Sequence, residues 1–196
     1  ELPSRLPFDS PHYATPRLPS EHVVREPNRL RLEGAESLES SFEQAMLARR
    51  LVSHQVTATT RFQFDPISFQ QMAGLVVYYN TRLFHYLYLS YDEELGRCLQ
   101  IHSCDDGESS FPLGSDPIPV PDGPVQLQVC IDHSELRFRW APTDSEFQEI
   151  SPVLDASILS DDYGAHWGFT GTFIGLACQD LTGANQPATF EFLEMH

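Results

Sequence analysis

Wherever apolar residues are dense in this chain, they recur at every second position. In "VTATTRFQF", Val56, Ala58, Phe62 and Phe64 share one face, and Thr57, Thr59, Arg61 and Gln63 take the other. "VQLQVCI" alternates from Val125 through Leu127 and Val129 to Ile131. "LRFRW" sets Leu136, Phe138 and Trp140 against Arg137 and Arg139, and "NRLRLEG" sets Leu30 and Leu32 against Arg29, Arg31 and Glu33. A backbone with this period exposes one face and buries the other, as half-buried antiparallel strands do. Several such runs separated by turn residues predict two sheets packed face to face.

The turns are legible. "DHSE", Asp132 to Glu135, joins two alternating runs as a tight hairpin, and Gly96 closes a connection in "YDEELGR". "PIPVPDGP", Pro117 to Pro124, is excluded from a central strand because its prolines cannot donate to a ladder. "AGLVVYYN" and "FHYLYLSY" are apolar on both faces and predict strands covered on both sides. "ESLESSFEQAMLARRL", Glu36 to Leu51, carries helix formers and an apolar spacing of Leu38, Phe42 and Ala45/Met46. Alone it predicts a helix, but an all-β context weighs against it. Residues 1–28, with six prolines, are expected as an extended lead-in wrapping a single sandwich domain, 1–196.

With 41% apolar residues, thirteen Phe, seven Tyr and two Trp, the chain can fill a core. Its charge is one-sided: twelve basic residues, all Arg, against twenty-eight acidic ones, net −16. Such a surface is repelled by phosphate backbones and anionic lipid, so nucleic acid and membrane are not expected partners. There is no apolar run long enough to span a bilayer, and no basic-then-apolar leader opens the sequence. Cys98, Cys104, Cys130 and Cys178 show no metal-ligand spacing. Cys98 and Cys104 on one extended strand would lie about 20 Å apart at ~3.3 Å per residue, too far to bridge. Free thiols and a cytoplasmic location are the expectation.

No nucleophile elbow, phosphate loop or dinucleotide glycine pattern is present. The carboxylate groups Asp92-Glu93-Glu94, Asp105-Asp106 and Asp161-Asp162 lie in turn-like, hydrophilic surroundings. Nothing near them would raise a pKa or fix the separation that glycoside hydrolysis requires. His85 and His102 fall in strand runs and are expected at the core edge or surface rather than as ligands.

The phrases "LRLEGAESLES", "LARR", "FQQMAGLVVYYN", "YDEELGR", "PVLDASILSDD" and "GFTGTFIGLACQDLTGANQPATFEFLE" together resemble the C-terminal domain of family 43 glycoside hydrolases, the β-xylosidases. The likeness runs from about Arg17 to Glu194. It implies an all-β fold, a concanavalin A-like jelly-roll sandwich of two antiparallel sheets. It also implies a strand, not a helix, over about Ala45 to Ser53. In that family the catalytic carboxylates belong to a separate five-bladed propeller, so this chain alone is expected to be non-catalytic.

The resemblance implies that a phenylalanine of this domain helps close the propeller pocket around a short xylo-oligosaccharide. Phe169 is the matching position, on a loop with Trp167, Gly168 and Thr170. Glycines there free the backbone to project, and an aromatic ring can stack on the C–H face of a pyranose. The alternative is that Phe169 packs within the sandwich and Trp167 is exposed instead. Val153, Leu154, Asp155, Ile158 and Leu159 are candidate propeller-docking residues, against the simpler reading that they form the sandwich itself. No cofactor is expected. Some related jelly rolls hold calcium between an early Asp and a last-strand carboxylate, and Asp9 and Glu191 would be that pair. Glu191 stands where the family's ending commonly has Asp. Two other functions stay open: an independent carbohydrate-binding module using Tyr78, Tyr79, Tyr86, Tyr88 and Tyr91, and an oligomerisation domain forming a homo-oligomer.

Overall fold

The alternating runs pair as two antiparallel sheets. A computed structural model of the chain describes residues 3–16, 19–143, 145–164 and 171–196. One sheet runs in the order β13 (Gln148–Asp155), β12 (Glu135–Pro142), β11 (Val125–Asp132), β5 (Gln55–Gln63), β15 (Pro187–Met195), β3 (Arg29–Glu33), β2 (Val23–Glu26). The other runs β1 (Tyr13–Ala14), β4 (Ala45–Arg50), β14 (Phe173–Asp180), β6 (Gln71–Asn80), β7 (Leu83–Asp92), β8 (Gly96–Asp105), β10 (Ile118–Pro119), and β9 (Glu108–Ser110) extends β8. All pairings between these strands are antiparallel. The expected two-sheet sandwich is the observed fold.

The inner face of β5 carries Val56, Ala58 and Phe62, and Phe64 follows just past its end, all buried, as the alternation requires. They meet Leu75, Val77, Leu87, Leu89, Leu99 and Ile101 from the opposite sheet in one core. Phe62 stacks on Phe190 with centroids 4.8 Å apart, which fixes β5 against β15. The proline loop contributes only the two-residue edge strand β10, consistent with its missing donors.

The strands β6 and β7 are buried on both faces. Their inner face lines the core; their outer face carries Val76, Tyr78, Phe84, Tyr86 and Tyr88. Residues 36–44 form turns, not a helix, and lie over this outer face. Leu38, 3% exposed, packs into it, and Gln44 Nε2 donates to the Leu38 carbonyl at 2.6 Å and the Ser40 carbonyl at 2.8 Å, which fixes the loop's path. The helical signal fails here because β4 pairs with β14 over Ala45–Arg50, and that pairing outweighs local propensity. The first residues also join the sheets, through β1, β2 and a bridge from Arg5 to Glu194.

Candidate functional site

One end of the sandwich holds both stems of the segment 165–170, which lies outside the described residues together with Trp167, Gly168, Phe169 and Thr170. β13 ends at Asp155, whose Oδ1 accepts from the Ser157 N–H at 2.8 Å and starts a 3-10 turn, Ala156–Leu159. Ile158 and Leu159 drop from that turn into the core at 5% and 3% exposure. The chain then reaches Asp161, where Oδ1 accepts from the Tyr79 hydroxyl at 2.7 Å and from the Gly171 N–H at 3.3 Å. This one carboxylate therefore ties the outgoing stem both to β6 and to the returning stem. Thr172 closes the base: its hydroxyl donates to the Leu159 carbonyl at 2.5 Å, and its own carbonyl accepts from Leu51 N–H at 2.8 Å.

Two further contacts hold this end. The Tyr163 hydroxyl donates to Asp105 Oδ2 at 3.1 Å. The buried His85 places Nδ1 2.8 Å from Ser103 Oγ and Nε2 2.9 Å from the Asp155 carbonyl oxygen. Burial pushes the His85 pKa down, against an opposing pull from the hydrogen bond to Asp155 and the carboxylates of Asp155 and Asp105. Beside the stems lies a cleft of about 650 Å³ that includes Val52, His54, His133, Ser160 and Asp162. Val52 is 87% exposed, and the imidazoles of His54 and His133 stack at 6.3 Å.

The candidate docking stretch divides. Val153 faces solvent at 46% and Asp155 is exposed, Leu154 packs partly against the core, and Ile158 and Leu159 are core residues of this chain. Alternation along β13 separates Val153 from its neighbour Leu154. The carboxylate groups hold turns or stems: Asp92 Oδ1 accepts from the Glu94 and Leu95 amides at 2.8 and 3.0 Å, Asp106 pairs with Arg82 at 3.0 Å, and Asp105 and Asp161 hold the tyrosines.

His102 Nε2 lies 2.7 Å from Ser109 Oγ, which in turn donates to Glu39 Oε1 at 2.8 Å. The serine proton points at the glutamate, so the hydroxyl is not activated by the imidazole as a nucleophile must be. Instead the chain of contacts fastens the 36–44 loop to β9. The four cysteines are free, with Cys98, Cys104 and Cys178 buried and Cys130 half-buried. Burial lifts the Cys98 thiol to about 11, and the nearby Asp92 adds to it.

The five tyrosines do not line one concave face. Tyr78, Tyr86 and Tyr88 point outward but are 7%, 1% and 4% exposed beneath Leu38 and their neighbours, and the Tyr86 hydroxyl donates to the Ala177 carbonyl at 3.1 Å. Tyr79 belongs to the core, because adjacent residues of a strand face opposite ways. Glu191 is ion-paired with Arg61 at 3.3 Å, Asp9 is exposed, and among the described residues no three metal-ligating side chains converge.

Sequence reasoning overlooked Asp161 and Tyr79 as the frame of this end. Asp161 and Tyr79 are 82 residues apart, and no local pattern joins them.

Comparison with known proteins matches residues 7–196 to the model of the beta xylosidase C-terminal concanavalin A-like domain. A beta-xylosidase of Bacillus subtilis (strain 168) is 41% identical over 172 residues, covering 87% of this chain and 32% of that protein. A putative beta-xylosidase of Escherichia coli (strain K12) is 37% identical over 189 residues, covering 93% of this chain and 35% of that protein. The crystal structure of xylan beta-1,4-xylosidase from Bacillus halodurans C-125 superposes with a TM-score of 0.93 at 36% identity, over 100% of this chain and 39% of that one. The chain thus spans about a third of the length of the curated relatives it matches.

Proposed function

This chain belongs to the β-xylosidase C-terminal concanavalin A-like domain family of family 43 glycoside hydrolases, and from that premise we propose that it is the accessory domain that completes another domain's sugar pocket. Its partner is a catalytic five-bladed propeller, and the sugar is a short xylo-oligosaccharide. The domain buttresses the propeller through the end that carries Val52, Val153 and Asp155. Phe169, with Trp167, Gly168 and Thr170 around it, supplies the ring that closes the pocket.

The observation that most supports this reading is the clamp at Asp161. Asp161, on the outgoing stem, accepts from Tyr79 of β6 and from Gly171 of the returning stem, which ties the bases of both stems to the sandwich. The share of each relative left uncovered, about two thirds, leaves room for the domain that carries the chemistry.

The test is Phe169→Ala in the intact enzyme. Losing one stacked ring should raise KM for xylobiose by up to about tenfold, while the melting temperature of this domain barely moves. An unchanged KM would remove the pocket-closing role, and a large drop in stability would place the ring in the core.

A further inference from the structure

In a chain this acidic, an arginine without a partner is conspicuous. Of the twelve arginines, Arg17 lies outside the described residues. Every other one except Arg50 meets a carboxylate or a backbone carbonyl of this chain. Arg50 is exposed, with no hydrogen-bond or ion-pair acceptor among the described residues. Its guanidinium lies over Gly171, whose Cβ, if it had one, would sit 2.7 Å from Nη2. Gly171 has φ +70°, so the backbone there already demands glycine, and Arg50 occupies the space that glycine leaves.

Beside this guanidinium the outer sheet face opens into a cleft of about 320 Å³. The register aligns Arg50, Phe173 and Tyr78 across β4, β14 and β6, so two rings follow the cation in one row. The row above is small, Ala48 beside Gly175, and the far wall is Thr15 and Pro16. The volume lies in the range of small-ligand sites, roughly 300–1,000 Å³.

We propose that Arg50 and the half-buried Phe173, backed by the buried Tyr78, form a binding site for a saccharide bearing a single carboxylate, a uronic acid. A guanidinium fork matches a carboxylate with two parallel hydrogen bonds, and an aromatic wall matches the C–H face of a pyranose. The net charge of −16 excludes polyanions from the same place, so the ligand carries one negative charge and an otherwise neutral ring. The proposal adjoins the stem at Gly171 but does not depend on the Phe169 reading.

Calorimetry on this chain with D-glucuronate, D-xylose and acetate tests it. Glucuronate should bind at low salt, with xylose and acetate each at least about tenfold weaker, because each lacks one half of the match. The affinity should fall as salt is added, as it does for an exposed ion pair. Arg50→Ala should abolish binding without changing the melting temperature, since the side chain is exposed, and Arg50→Lys should restore part of it. Equal binding of xylose and glucuronate, equal binding of acetate and glucuronate, or undiminished binding by Arg50→Ala would each overturn the proposal.

Discussion

His85 has both ring nitrogens within hydrogen-bond reach of Ser103 and the Asp155 carbonyl, in a place where water does not reach. Burial holds its pKa below the ordinary value of 6.5, and His102 shifts the same way chiefly from burial. In the unfolded chain both imidazoles take up protons near pH 6.5, before the folded ones do. The unfolded state therefore binds more protons as pH falls below about 6.5, and the folded state loses stability through that window. Urea unfolding between pH 7.5 and 5 should show this decline, and His85→Gln should flatten it. An undiminished slope in the variant would assign the decline to other groups. The sequence pointed to the core edge or surface for His85, whereas it is buried at 4% exposure, and its contact with Asp155 was not legible because 70 residues separate them.

Strands were the most legible elements. β5, β11, β12 and β3 follow the alternation, since a period of two is a property of the backbone itself. The segment Glu36–Leu51 was misleading because its helix formers are local and its true partner, β14, lies more than a hundred residues later. Gly74 shows the same non-local control. A Cβ there would fall on the Leu87 carbonyl oxygen and within 2.8 Å of Tyr88 Cα, so β6 approaches β7 more closely than any side chain permits. Gly74→Ala should cost at least about 2 kcal/mol in chemical denaturation, by forcing apart the two central strands. A neutral result would mean that the pair can slide to make room.

At the scale of the whole molecule, the two sheet faces have different fates. The inner faces meet each other, and the outer face of β6 and β7 is closed by the chain's own 36–44 loop. Glu39, bound to Ser109, and Leu38, sunk among the rings, hold that loop down. Around Tyr86 and Tyr88, a face covered in this way is not a stacking platform for neutral glycans. Titration of the chain with xylobiose should therefore give no heat of binding. Saturable binding would favour an independent carbohydrate-binding module over an accessory domain.

By itself the sequence determined the two-sheet character, the central place of β6 and β7, the edge position of the proline loop and the family likeness. These rest on backbone periodicity, on missing donors and on motif order, all of which are written locally. Only the tertiary structure decided that Asp161 ties one stem to the other, that Ile158 and Leu159 belong to the core, that a loop covers the tyrosines, and that Arg50 is left without an acceptor among the described residues. Each of these depends on strand register between distant segments, and register is set by how all the side chains pack at once.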